Sequence, residues 1–250
     1  MTTPRGINQT FTRQSGLELR STRQSRQAYK CHSHAQLSIG AIVEGKTRCV
    51  CNGQEYLLSP GDIIVIPAHV PHSCNPHNGH PRSYHMLYIE TTLPLARQVI
   101  RSEAIFRLYL NVVDTMTPSS LNALLAAFPH REQEEDILRP TSQQLQQTIL
   151  SNLLTPPTLD EFARRFSLRK ETLIRTFRQD TGLTPGSFLN MSRVEYAKAR
   201  LRAGDDIADV GYQSGFADQS HFHKTFVRYT AATPRQYATG RSISDNKYPA

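Results

Sequence analysis

The chain has 250 residues and a formal net charge of +8, with 29 basic residues against 21 acidic. One or two cored domains fit that length, and the basic balance permits a polyanion partner without requiring one. Residues before 140 carry 14 basic against 11 acidic side chains and the remainder 15 against 10, so neither half is a polycation. Four cysteines in a chain this long exclude a disulfide framework. No cleavable leader and no apolar run of membrane-spanning length is present, so a cytoplasmic protein with no membrane partner is expected.

Residues 1–28 are lopsided, with Arg5, Arg13, Arg20, Arg23 and Arg26 against Glu18 alone, and are expected to form a flexible basic arm. From Tyr29 the punctuation is that of β structure. Leu37–Val43 ends at Glu44-Gly45, and Thr47–Cys51 leads into Asn52-Gly53, a two-residue hairpin signal. Gln54–Leu58 runs to Pro60-Gly61, Ile63–Ile66 stops at Pro67, and Tyr84–Ile89 closes the series. Short strands at this spacing predict a small barrel or sandwich. Helical spacing follows over Leu95–Asn111 and Pro118–Phe128. The uneven, acidic stretch 131–141 reads as a linker, and 241–250 as a C-terminal tail.

From Thr141 onward seven helices are expected. Thr158-Leu159-Asp160-Glu161 is a capping box, Thr184-Pro185 and Thr233-Pro234 are helix starts, and Asp206 and Asp218 are N-caps. This region is duplicated. Leu173, Phe177, Thr181 and Thr184 recur 49 residues later as Phe222, Phe226, Thr230 and Thr233. Upstream, Leu159, Phe162, Ala163 and Leu168 recur at an offset of 48 as Ile207, Val210, Gly211 and Phe216. Two like modules at a fixed spacing suit a ligand that itself repeats, and DNA is such a ligand.

Each module reads as a helix-turn-helix. Leu173 with Phe177, and Phe222 with Phe226, anchor the second helices, because residues four apart share a face. The opposite faces then present Glu171, Ile174, Arg175 and Arg178 in the first module, and Gln219, Ser220, His221, His223 and Lys224 in the second. Arginine and lysine suit guanine edges or phosphates, and glutamine suits adenine. Glu171 and Arg175, four apart, could instead simply pair with each other. A helix over about Pro185–Arg202 separates the modules by roughly 27 Å, so two recognition helices could enter successive major grooves.

Residues 142–240 resemble the DNA-binding domain of the AraC/XylS family of bacterial transcription regulators. The resemblance is carried by Ile207-Ala208-Asp209-Val210-Gly211-Tyr212, Gly215-Phe216, Asp218, Ser220, Phe222, Phe226 and Pro234. Ser167 stands where that family often has glycine, and Arg169 replaces its usual capping serine. The first recognition helix is therefore expected to start less firmly than the second.

In the N-terminal half, His32-x-His34 lies on or beside a strand, so both imidazoles point to the same face. Together with Gly61-(x)5-Pro67-x-His69-x-x-His72 it resembles the two motifs of the cupin barrel. The resemblance implies a cupin-like effector-binding and dimerisation domain over 29–130, with His32, His34 and His72 as pocket residues. The glutamate that completes a cupin metal site is missing, with Gln36 and Ile39 in its region. Three imidazoles with an open position could still hold a divalent ion such as zinc or nickel, while histidines that only furnish hydrogen bonds are the commoner case. His77, His80 and His85 read as surface or loop positions, and the cysteines as inert.

The fold class expected is therefore two-domain α and β: a cupin-like β-barrel with flanking helices, then an all-α domain of two helix-turn-helix modules. The function expected is a non-enzymatic, DNA-binding regulator answering to a small-molecule effector. The resemblance implies a homodimer through the helices within 95–128, and RNA polymerase as a partner if the protein activates. The rival readings are a cupin metalloenzyme with an appended helical domain and an architectural DNA binder without an effector.

Overall fold

The computed structural model describes residues 9–91, 98–129, 138–239 and 241–242. Most of the expected linker and tail, and residues 95–97 of the first expected helix, lie outside these.

The described chain begins with two strands, β1 (Gln9–Gln14) and β2 (Leu17–Ser25), paired antiparallel with Gln14 opposite Leu17. Over residues 9–25 this corrects the reading of 1–28 as an arm, while residues 1–8 of that arm lie outside the described residues. The side chains of Glu18, Arg20 and Thr22 are buried on one face of β2 and those of Leu17 and Leu19 on the other, so charges that suggest a solvated tail are interior. Strands β3 (Leu37–Glu44), β4 (Thr47–Cys51), β5 (Gln54–Leu58) and β6 (Asp62–Ile66) follow as expected. The β4–β5 turn carries Asn52 at φ 48° and Gly53 at φ 75°, the two positive angles that a type I′ hairpin demands. Strand β7 (His72–Pro76) was not foreseen, and β8 (Arg82–Ile89) was. Val99–Arg101 is a short strand, β9, paired with β6, where a helix was expected.

Helices α1 (Glu103–Thr115) and α2 (Pro118–Ala126) close the N-terminal half. Ser102 and Thr117 cap them, each hydroxyl accepting from a backbone N–H three residues on. Seven helices then follow among the described residues: α3 (Pro140–Ser151), α4 (Leu159–Arg165), α5 (Lys170–Thr181), α6 (Pro185–Ala203), α7 (Ile207–Gln213), α8 (Gln219–Thr230) and α9 (Pro234–Thr239). A two-residue strand, β10 (Arg241–Ser242), returns to pair with β1.

The strands form two sheets, ordered β10-β1-β2-β8-β3-β6-β9 and β5-β4-β7. Alternation divides the larger sheet's side chains between two cores. Ile39, Leu87 and Ile63 pack beneath α1 and α2, where the buried Tyr109 hydroxyl donates to the Ile39 carbonyl at 2.9 Å. Ile42, Ile64 and Tyr84 face Cys49, Cys51 and Leu58 of the smaller sheet. No ladder joins the two sheets into one closed barrel among the described residues.

The helical half has its own core around Leu173, Phe177, Val194, Val210, Phe222 and Phe226, and Phe11 from β1 belongs to it. The two halves are therefore interlocked. Phe11 packs edge-on against Tyr237 of α9, with ring centroids 5.1 Å apart.

Candidate functional site

Three imidazoles converge behind the smaller sheet. His32 precedes β3 and forms an isolated antiparallel bridge with His72, the first residue of β7, each backbone N–H donating to the other's carbonyl at 2.9 and 2.7 Å. His34 follows two residues later. Ring centroids lie 4.5 Å apart for His32 and His72, 4.8 Å for His32 and His34, and 5.1 Å for His34 and His72. His32 and His72 are buried, and only 10% of the His34 side chain is exposed. The three predicted pocket residues thus come together. His85, expected on a surface or loop, lies within β8 and bonds Ser21 at 2.8 Å.

Burial drives the imidazolium forms out. His72 is pushed down to about 3, first by burial and then by His34. His32 is held well below its ordinary value by burial and by the other two rings. His34 is lowered by burial, although its hydrogen bond to Glu195 opposes this. All three are neutral near pH 7, the form in which imidazole is a ligand.

The cavity beside them has a volume of ≈ 40 Å³ and is lined in part by Arg20, Tyr29, Tyr84 and Tyr88. Arg20 and Arg82 are 5% and 1% exposed. Arg20 donates to the Tyr29 hydroxyl, and Arg82 to the carbonyls of Gln27 and Cys74. Neither guanidinium has a carboxylate partner among the described residues. A buried cation without an anion is costly, so the cavity favours negative charge.

Helix α6 packs against the His32–His34 segment from outside the cavity. Glu195 Oε1 accepts from His34 Nδ1 at 3.3 Å, and Lys198 Nζ donates to both Glu195 oxygens at 3.0 Å. The Ser33 hydroxyl meets the Met191 sulfur at 2.9 Å. Burial raises the Glu195 carboxyl, but Lys198 and His34 hold it down to about 2. A second ionic cluster lies nearby: Tyr237 donates to Glu18 Oε2 at 2.9 Å, Arg13 Nε to the same oxygen at 2.8 Å, and Arg202 stands 3.6 Å away. Sequence reasoning did not single out Glu195, Lys198 or Glu18. On a helical wheel Glu195 and Lys198 flank the apolar stripe Met191, Val194, Ala197 and Leu201, and only the tertiary fold shows that a second domain covers that flank.

Cys49 and Cys51 are poor nucleophiles. Cys49 is pushed up by its bond to Cys74, directly opposite on β7, and Cys51 up to about 12 by burial.

In the helical half, the Thr158 capping box forms, with Glu161 N donating to the threonine hydroxyl at 3.2 Å and Thr158 N to the glutamate at 2.7 Å. Asp218 caps α8 by accepting from His221 N at 2.7 Å, whereas Arg169 gives α5 no side-chain cap. Of the predicted reading residues, Glu171, Arg175 and Arg178 on α5, and Gln219, Ser220, His221 and Lys224 on α8, are exposed; Ile174 and His223 are half-buried. Glu171 and Arg175 do not pair with each other among the described residues. Arg178 lies near enough to Cys31 to oppose the upward push of burial on that thiol, so it sits on the side of α5 towards the N-terminal half.

Helix α6 has 19 residues, a span of roughly 28 Å at ~1.5 Å per residue. Its C-terminal end leads into the second module through Gly204, and its N-terminal end follows the first through Gly182. Arg193 on α6 donates to the carbonyls of Leu153 and Leu154 at 2.8 and 3.1 Å. Among the described residues, no helix is long and apolar enough to cross a membrane.

Comparison with known proteins agrees with this architecture. The AraC-like ligand binding domain family matches residues 14–154, and a helix-turn-helix domain family matches 162–240. An uncharacterized HTH-type transcriptional regulator, YbfI of Bacillus subtilis, is 25% identical over 228 residues, covering 78% of this chain and 82% of that protein. The HTH-type transcriptional activator RhaS of Shigella sonnei is 26% identical over 258 residues, covering 84% and 87%. Among solved structures, ToxT of Vibrio cholerae bound to an unsaturated fatty acid shares the fold, with a TM-score of 0.59 and 13% identity over 97% of this chain and 100% of that one. With its ligand-binding family match covering more than half of its length, the chain belongs to the AraC family of transcriptional regulators, as a ligand-binding domain joined to a helix-turn-helix DNA-binding domain.

Proposed function

We propose that the cavity behind β7 is the effector site and that α6 carries its state to the DNA-reading helices. One observation carries this reading: the cavity's histidine wall is bonded directly to the helix that holds the two modules apart. An effector that alters the packing of His34 against Glu195 changes the setting of α6, and through it the spacing of α5 and α8. Such a ligand regulates only if its affinity differs between the DNA-competent and incompetent settings. The buried guanidiniums of Arg20 and Arg82 favour a small anionic effector.

On this reading Glu171, Ile174, Arg175, Gln219, Ser220, His221, His223 and Lys224 face the duplex, and Arg178 is demoted to the interdomain side. The pocket binds rather than turns over its ligand, unlike a cupin metalloenzyme. The half-buried apolar side chains of Phe106, Val113 and Leu121 on α1 and α2 suit a homodimer contact, and an activator of this design would meet RNA polymerase. The sensory domain starts at β1, the linker spans about 131–139, and the DNA-binding domain runs from α3 to α9.

Selection of duplexes from a random library by the purified chain, followed by footprinting, tests the reading. One chain should protect two successive major grooves on one face, about 10 base pairs apart. Protection of a single groove, or no selected sequence, would overturn it. The His32→Ala/His72→Ala pair should keep affinity for the selected duplex and lose its dependence on added carboxylates.

A further inference from the structure

We propose that Nε2 of His32, His34 and His72 together bind one divalent transition-metal ion, and that Glu195 of the helical domain is the carboxylate that orients His34 in that centre. The inference deepens the effector-site reading and rests on it for location only.

The hydrogen bonds of the three rings carry the argument. His32 Nδ1 donates to the Lys30 carbonyl at 2.7 Å, His72 Nδ1 to the Val70 carbonyl at 2.9 Å, and His34 Nδ1 to Glu195 at 3.3 Å. A carbonyl or carboxylate oxygen can only accept, so each Nδ1 carries the proton and each Nε2 keeps its lone pair. All three tautomers are thereby fixed in the ligating form. Two backbone carbonyls and one carboxylate, each holding the far nitrogen of an imidazole, form the outer shell that metal-bound histidines use. No protein donor reaches any of the three Nε2 atoms among the described residues.

The spacing fits. One ligating atom from each ring lies within 4.8 Å of the others. Zinc at ~2.0–2.1 Å from each nitrogen would set tetrahedral neighbours roughly 3.4 Å apart, inside that limit. The ≈ 40 Å³ cavity has room for an ion and a water or one ligand atom, since a water needs at least ~10–15 Å³. Three neutral nitrogen ligands select zinc, nickel, cobalt or copper over magnesium or calcium, which take oxygen ligands.

The absent cupin glutamate acquires a counterpart here, in a different role. Glu195 binds His34 from α6, outside the barrel, so the outer shell of the centre spans both domains. Lys198 ties that carboxylate to the helix at 3.0 Å. An ion would polarise the His34 ring and strengthen its N–H bond to Glu195, favouring the setting of α6 seen here. The added positive charge beside Arg20 would also favour an anion at the open coordination position.

The test is titration of the full chain, stripped with a chelator, with Co²⁺ alone. The expected result is one ion per chain with visible ligand-field absorption. His72→Gln and His32→Gln should each lose at least 100-fold in affinity. Glu195→Gln should keep the stoichiometry and lose about 10–100-fold, whereas Arg202→Met, whose side chain belongs to the Glu18 cluster, should change affinity less than fivefold. X-ray absorption of the wild-type zinc form should count three imidazoles, a reading that needs no variant to fold. Absence of saturable cobalt binding, or fewer than three imidazoles, overturns the site; undiminished affinity in Glu195→Gln overturns the role of Glu195. A chain that selects duplex DNA but ignores cobalt loses this inference alone, and one that binds cobalt but no duplex loses the regulator reading alone.

Discussion

Ser167 and Gly215 occupy the same turn in the two modules, and both have positive φ, 52° and 80°. Glycine takes that conformation without a Cβ penalty and serine does not. Ser167→Gly should therefore stabilise the chain by about 0.5–1 kcal/mol, read from the urea midpoint. Gly211 presents the opposite case. A Cβ there would stand 2.9 Å from Phe222 Cδ1 and from Gln219 Oε1, so the close approach of α7 to α8 needs the missing side chain. Gly211→Ala should cost about 1–3 kcal/mol, even though Ala163 fills the matching place in the first module. At this scale the sequence was informative. The departures at Ser167 and Arg169 were visible as letters, and the structure gives them a strained turn and an uncapped helix. Lys224→Ala or Arg175→Ala should weaken binding to a selected duplex by about 1–3 kcal/mol if each reads a base. A uniform loss across sequences would reduce them to phosphate contacts.

Among the elements, those with a single simple environment were legible. Strands β4 and β5 run between sharp turns, and their ends match the expected residues. The capped helices of the second half fall where Thr158, Asp206 and Asp218 place them. Strands β1 and β2 were missed for a physical reason. A sequence pattern registers apolar burial, yet β2 buries Glu18 and Arg20 against partners from α9 and from the cavity tyrosines. Strand β7 was missed because His72-Ser-Cys-Asn-Pro has no apolar alternation and takes its pairing from β4. The pocket histidines were legible as a motif, whereas Glu195, 161 residues away from His34, could be found only in three dimensions. The element-scale consequence concerns β1. Phe11 is 8% exposed and sits in the core of the helical domain, so Phe11→Ala should cost about 3–5 kcal/mol. Thermal unfolding of the full chain would show it. The loss should be absent if α9 packed independently of β1.

At the scale of the whole molecule, the two halves meet through ionic clusters buried between them. Glu18 belongs to β2, and the groups facing it come from both sides: Arg13 from β1, and Lys198, Arg202 and Tyr237 from the helical domain. Burial pushes the Glu18 carboxyl up, but Lys198, Arg13 and Arg202 outweigh it and hold the group below its ordinary 4.5. A carboxyl lowered in the folded state binds its proton less readily there than in the unfolded chain. Its contribution to stability is therefore complete above the unfolded value and drains away as pH falls through the folded one. Wild type should exceed Glu18→Gln in stability at pH 7, by about 3 kcal/mol if the charge is the main term. That difference should hold down to about pH 5 and shrink below 4.5, as measured by urea unfolding at a series of pH values. A gap that stayed constant to pH 3 would mean that the carboxylate acts there by shape and hydrogen bonding, with no share for its charge. The same titration bears on signalling. If the interface transmits the effector's state, loosening it at low pH should weaken the effector's influence on DNA affinity before it unfolds either half.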